Sequence, residues 1–263
     1  MNAHTLGRPV RHWWMTAVLI GLNVFAFVVQ TLQGTDVFSP TTAQMIAVGS
    51  NATPLTLTGD DWRLLSSMFL HVGLTHLVLN MWALYLLGTY AELYFGRWFY
   101  VGLYLLSGLV GNIAFCAWHM PNLTGDAPLA ALHVAASAGA SGAILGLNGA
   151  LIMAAWRPRS TLPVHLHIPV KGMIAILGMS LAFGVVIPNM DNTAHLAGAS
   201  TGLLLGWLFV FSQPITDGIR GVFRTSGVLL VLAAAMYCFN VLHDRASVLQ
   251  PLRHVLLMAL GQP

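Results

Sequence analysis

Seven stretches of this chain are each long and apolar enough to cross a lipid bilayer, at roughly 20 residues per crossing. They run from about Trp13–Leu32, His71–Leu93, Trp98–Trp118, Ser141–Trp156, Val170–Ile187, Thr193–Phe211 and Thr225–Leu242. Only 7% of the residues are charged, against 57% hydrophobic, whereas a soluble domain carries about 25% charged residues. Too few charges exist to build a solvated surface, so lipid must cover most of the outside. The expected fold class is all-α: a polytopic membrane helical bundle with a six-helix core and a seventh, C-terminal transmembrane helix. Residues 1–211 read as the core with a short N-terminal tail. Residues 212–263 read as a linker, the seventh helix and a short C-terminal tail.

The same patterning excludes several function classes. The net charge of +3 comes from scattered residues, with no basic patch interleaved with aromatics, so nucleic acid is not an expected partner. Cys116 and Cys238 both lie within apolar spans, which argues against a disulfide framework. The histidines are dispersed and no HExxH occurs, so neither a structural zinc site nor a zinc protease is expected. No metal or organic cofactor is called for. The first span is too long for the apolar region of a signal peptide and lacks a small-residue cleavage site; it reads as a retained helix.

Loop charges orient the bundle. With the N-terminus inside, the inner segments hold Arg8, Arg11, Arg97, Arg157, Arg159, Lys171, Arg220 and Arg224, and the outer ones only Arg63, Arg245 and Arg253. Asp36, Asp60, Asp61, Asp126, Asp191 and Asp244 then fall outside. Basic residues concentrate on the cytoplasmic side of membrane proteins, so the N-terminus is expected in the cytoplasm and the C-terminus outside. The expected location is a bacterial inner membrane. The loop from Gln33 to Leu70 is long, but Leu64-Leu65 and Met68-Phe69-Leu70 argue for a folded piece in the outer leaflet.

The fourth span is short. Ser141 to Trp156 is 16 residues, roughly 24 Å of helix at ~1.5 Å per residue, against ~30 Å of hydrocarbon. Ser141 is therefore expected below the outer surface, on the floor of a submerged cavity. Non-helical backbone survives at that depth only within protein or beside water.

Two small-residue clusters carry the chemistry: Gly139-Ala140-Ser141-Gly142 and Ala194-His195-Leu196-Ala197-Gly198. A serine and a histidine in membrane spans are costly unless they act, and together they make a nucleophile and a base. Ser141 opens a helix, where unpaired N–H groups and the helix dipole favour an oxyanion; the alternative is a plain helix cap. Gly198, Gly202 and Gly206 form a four-residue stripe below His195, and Gly142, Gly146 and Gly149 offer a facing one. Such stripes let helices approach closely, which would bring His195 to Ser141. A merely hydrogen-bonded structural histidine is the alternative. His76 and Asn80, four apart, share a helical face and can donate to an oxyanion while neutral; alternatively they are polar glue between helices. Glu92 is expected to be structural, paired with Arg97.

In order along the chain, Trp62-Arg63, His71 with His76 and Asn80, Glu92, Gly139-Ala140-Ser141-Gly142 and Asn192-Thr193-Ala194-His195-Leu196-Ala197-Gly198 resemble the rhomboid intramembrane serine proteases. The resemblance implies a Ser–His dyad without an acid, Ser141 as nucleophile and His195 as base. It implies an oxyanion hole from His76, Asn80 and the Ser141 backbone. It also places Trp62-Arg63 in a membrane-embedded loop and implies a bundle open on one side to a transmembrane substrate. Many members carry an aromatic residue four positions after the serine; Leu145 stands there here. The expected function is an endopeptidase that cuts transmembrane proteins near their outward-facing ends. A catalytically inactive membrane-protein binder and, less favoured, a channel or transporter are the alternatives.

Overall fold

The fold is that of a computed structural model, which describes residues 13–120, 134–155, 169–186, 192–213 and 215–261. It is an all-α bundle. Four described helical stretches are long and apolar enough to span a membrane: Trp14–Leu32 (α1), Arg97–His119 (α6), Thr193–Phe211 (α9) and Gly218–Ala259. Between the first two, a loop region carries the short helices Thr42–Ala47 (α2), Thr53–Thr56 (α3) and Arg63–Ser66 (α4) and the strand Asn51–Ala52 (β1). Leu74–Phe95 (α5) follows, 22 residues long. Strand Ala136–Ser137 (β2) leads to the shorter apolar helices Ser141–Ala154 (α7) and Val170–Val186 (α8). After α9 come Asp217–Arg245 (α10), a 3-10 turn and Gln250–Ala259 (α11).

Each of the seven expected spans falls on a helix; the sixth has the expected ends, Thr193 and Phe211, several others have shifted ends, and the fifth span's expected end at Ile187 lies outside the described residues. The second starts at Leu74 rather than His71. The seventh starts earlier, at Asp217, and runs to Arg245. What reads as a tail is a further helix, α11. The fourth span's expected end at Trp156, and the charges Arg8, Arg11, Asp126, Arg157, Arg159 and Asp191, lie outside the described residues. A single residue, Gly96, joins α5 to α6; its φ of 78° lies in the left-handed region, where only glycine turns the chain without strain.

α7 sits at the centre. It is buried from Gly142 to Leu151 and at Ala154, and α5, α6, α8 and α9 pack around it. A helix apolar on every side is a core helix. Its tightest partner is α9, and glycine sets the distance. A Cβ on Gly198 would run into the main chain of Gly142, one on Gly202 into Gly146, and one on Gly206 would lie 2.6 Å from Ala150 Cα. The two backbones touch along three turns, which maximises dispersion contact where no hydrophobic effect separates helix from lipid.

The loop before α5 is folded: Ile46, Ala52 and Leu55 form a small cluster of their own, Leu57 and Leu64 pack with Ile113 and Cys116 of α6, and Met68 joins the main core. Arg63 is buried within the loop. Its Nη1 donates to the carbonyls of Ile46 (2.7 Å) and Ser50 (3.2 Å), and its Nε pairs with Asp60 at 3.0 Å. α11 closes over the same loop. Arg253 donates to Leu55 O and Thr58 Oγ1 and pairs with Asp60 at 2.7 Å. Burial alone pushes the Asp60 carboxyl up, but hydrogen bonds and charge from Arg253 and Arg63 outweigh it and hold the group below its ordinary value.

Candidate active site

The site is assembled from three helix ends and one strand. β2 pairs antiparallel with β1, Asn51 opposite Ser137 and Ala52 opposite Ala136, and Gly139 N donates to Ser67 O at 2.9 Å. These bonds fasten the segment before α7 to the folded loop. Gly139, at φ 134°, then turns the chain into the helix. A Cβ there would meet the His76 ring at 2.7 Å, so only glycine admits both the turn and the ring.

Ser141 is thereby the first residue of α7. The first intrahelical bond runs from Ile144 N to Ala140 O, and Ala140 supplies no side-chain cap. The N–H groups of Ser141, Gly142 and Ala143 precede that bond and point past the helix end, where the dipole is positive. The glycine seam delivers His195 from α9. Its Nε2 lies 2.7 Å from Ser141 Oγ, within the reach that proton transfer requires. His195 is 6% exposed, sunk beside the serine.

His195 also meets Asn192, whose Oδ1 is 3.3 Å from Nδ1. Asn192 Nδ2 donates to Leu181 O on α8 at 2.9 Å. In the sequence, Asn192 stands at the head of the Asn192–Gly198 motif with no role at the site that its position alone suggests. An asparagine just before a helix reads as an ordinary cap, and a contact to the ring three residues on has no periodic signature.

His76 enters from the first turn of α5. Val72 N–H donates to its Nδ1 at 3.2 Å, so the neutral ring carries its proton on Nε2. That atom is the one near Gly139: a Cβ on Gly139 would sit 3.2 Å from His76 Nε2 and 3.7 Å from Ser141 Oγ. Asn80 is one turn further down. Its Nδ2 donates to the carbonyl of His76 at 2.9 Å, and it is not among the residues lining the cavity. The structure thus brings His76 to Ser141 and leaves Asn80 behind it.

These residues open into a cavity of about 860 Å³. Ser141, His195, His76 and Gly139 line it together with Met45, Met68, Val72, Leu79 and Asn112. Val134 to Gly139 form one wall. Leu145 is buried in the core of α7 and is not among the lining residues.

The remaining expected residues lie away from the cavity. Trp62 is half exposed, with the Arg63 guanidinium 4.8 Å from its ring and Gly49 packed beneath. Glu92 is buried but does not take the expected partner. Its carboxylate accepts from the N–H groups of Met15 (3.1 Å) and Thr16 (2.8 Å) and from Thr16 Oγ1 (2.8 Å). It caps α1, which has no side-chain cap of its own, while the Arg97 guanidinium lies 6.0 Å from the ring of Trp14. No group of three or more metal-ligating side chains occurs among the described residues.

The rhomboid domain family model matches residues 58–212. The chain is similar to "Rhomboid protease GluP" of Bacillus subtilis (strain 168), with 30% identity over 90% of this chain and 42% of that protein. It is similar to "RHOMBOID-like protein 4" of Arabidopsis thaliana, with 31% identity over 72% of this chain and 44% of that protein. It is also similar to "Rhomboid protease AarA" of Providencia stuartii, with 28% identity over 74% of this chain and 72% of that protein. The chain thus spans less than half the length of the first two of these relatives.

Proposed function

We propose that this chain, which belongs to the rhomboid family, is an intramembrane serine endopeptidase acting on the transmembrane segments of other membrane proteins. It is an integral membrane protein of all-α fold. The observation that carries the reading is the 2.7 Å contact between Ser141 Oγ and His195 Nε2 at a helix N-terminus inside a cavity. Ser141 Oγ attacks the scissile carbonyl as its proton passes to His195 Nε2. The N–H groups at the start of α7 and His76 Nε2–H face the oxyanion. The tetrahedral adduct collapses, the C–N bond breaks, and His195 returns the proton to the leaving amine. A water molecule then attacks the acyl ester, giving its proton to His195, and the ester C–O bond breaks as His195 returns that proton to Ser141 Oγ.

We assign the protease core to residues 1–211 and treat 212–263 as an added C-terminal unit. The cavity, the folded loop and α11 lie at one end of the bundle, and the α5–α6 turn at the other. With the basic-residue bias, this supports an N-terminus in the cytoplasm and a site opening outward. A substrate helix must expose a carbonyl, so glycine, proline or small polar residues near its outer end, which weaken helices, favour cleavage.

The test uses purified protein in liposomes with a model transmembrane substrate. The parent chain should cleave and should label at Ser141 with a fluorophosphonate. Ser141→Ala and His195→Ala should each abolish cleavage while melting near the parent temperature. Cleavage by either variant sinks the dyad, and a parent that neither cleaves nor labels leaves a rhomboid-like binder as the reading.

A further inference from the structure

We propose that Asn192 is a positioning residue that fixes the tautomer and ring plane of His195, so that an amide orients the dyad. The inference rests on the protease reading above. Asn192 stands immediately before α9, where an asparagine side chain ordinarily accepts from a backbone N–H two or three residues on. It makes no such cap here. Its Oδ1 turns instead to His195 Nδ1 at 3.3 Å, and its Nδ2 to Leu181 O at 2.9 Å.

The bond to α8 decides the chemistry. A carbonyl oxygen only accepts, so the amide atom facing Leu181 must be the nitrogen. The amide oxygen is thereby turned to the imidazole. That oxygen cannot donate, so Nδ1 must carry the ring proton. A neutral imidazole has one such proton, which leaves the Nε2 lone pair aimed at Ser141 Oγ, 2.7 Å away. This is the tautomer that a general base needs. Gly184 on α8 makes the room: a Cβ there would crowd the Asn192 amide, coming within 2.7 Å of its Nδ2. α8 therefore supplies both the carbonyl that sets the amide and the gap that admits it.

Other groups face this turn of α9. Among the described residues, His76 from α5 and Ser141 from α7 share the cavity with His195. α6 presents Gly111 against Ala194, and α8 presents main chain. Asp191, the neighbour of Asn192 in sequence, lies outside the described residues.

The test compares the parent with Asn192→Ala and Asn192→Asp in liposomes. A carboxylate keeps the acceptor for Nδ1 but cannot donate to Leu181 O, whereas alanine loses both. The readouts are kcat and KM on a model transmembrane substrate, the pH profile of Ser141 labelling by a fluorophosphonate, and melting temperature. Asn192→Ala should lower kcat roughly 10–100-fold, the range seen when the partner of a metal-binding histidine is removed, with KM near the parent value. Asn192→Asp should recover most of the rate at alkaline pH. Its acid limb of labelling should move up by about one pH unit or more, because a carboxylate favours the imidazolium. If Asn192 only ties α9 to α8, the two variants fall together and the acid limb stays in place, which overturns the proposal. An Asn192→Ala protein at the parent rate also overturns it. Should Asn192→Ala melt far below the parent, Gly184→Ala, which displaces the amide without removing it, must show the same loss in kcat; an unchanged kcat there counts against the role. A parent chain that neither cleaves nor labels overturns the protease reading and this one with it.

Discussion

His76 reaches the cavity with a tautomer set by a single backbone bond from Val72, whereas the Asn80 amide is engaged one turn below. The two residues should therefore differ in weight. Removing one oxyanion donor costs on the order of 10²–10³ in rate in serine hydrolases. His76→Ala should approach that loss in kcat, and Asn80→Ala should fall well short of it. Single-turnover cleavage by both variants checks this, and equal losses would place Asn80 in the oxyanion site directly. Glu92 makes a different prediction. It caps α1 from α5, and losing a capping acceptor costs roughly 0.5–2 kcal/mol. Glu92→Ala should lower the melting temperature without changing the pH profile of Ser141 labelling. Ser141 and His195 stand out in the sequence because a polar group inside an apolar run is itself an anomaly. The partner of Glu92 does not stand out: it lies 76 residues away, beyond any local spacing, and Arg97 is merely the nearest opposite charge.

Between elements, the seam of α7 and α9 governs how the dyad meets. Any side chain at Gly198 collides with the backbone of Gly142, next to the nucleophile. Overpacking of this kind costs about 1–3 kcal/mol or more, and a displacement of ~1 Å can cost roughly 10²-fold in rate. Gly198→Val should lose most activity and some thermal stability. Gly206→Val, two turns beyond Gly198 along α9, should lose more stability than activity. Proteolysis and melting of both variants measure the split. The glycine spacing made this seam legible in the sequence. The α11 contact was not legible, because α11 is too short for a span and its partner loop lies 193 residues away. That contact has a pH signature. Asp60 is held below its ordinary value when folded, so its share of stability is present above the normal carboxylate range and is lost as pH falls through the lowered value. The melting gap between parent and Arg253→Ala should therefore narrow in acid. A gap that is constant with pH would mean that Arg253 acts through the Leu55 and Thr58 bonds alone.

Across the whole molecule, the cavity mouth, the folded loop and α11 share one end of the bundle, so three distant parts of the chain must report the same compartment. On a Cys238→Ala background, cysteines replacing Gln33 and His254 should react with an impermeant thiol reagent from outside intact cells. One replacing Gly218 should be protected. The mirror result would put the site on the cytoplasmic side. The bundle and its approximate spans were readable from hydropathy, since lipid imposes one simple rule on every crossing. The ends of the second and seventh spans were not, because Gly73 and the length of α10 answer to packing rather than to thickness. The encasement of α7 has one more outcome, in time rather than in space. At 14 residues the helix is roughly 21 Å long, too short to settle comfortably in ~30 Å of hydrocarbon alone, and the ribosome makes it before the partner that covers its glycine face. A nascent chain halted anywhere before α9 holds a serine and no base. On the proposed reading, the growing polypeptide cannot cleave the membrane proteins around it until its last core helix drops into the seam.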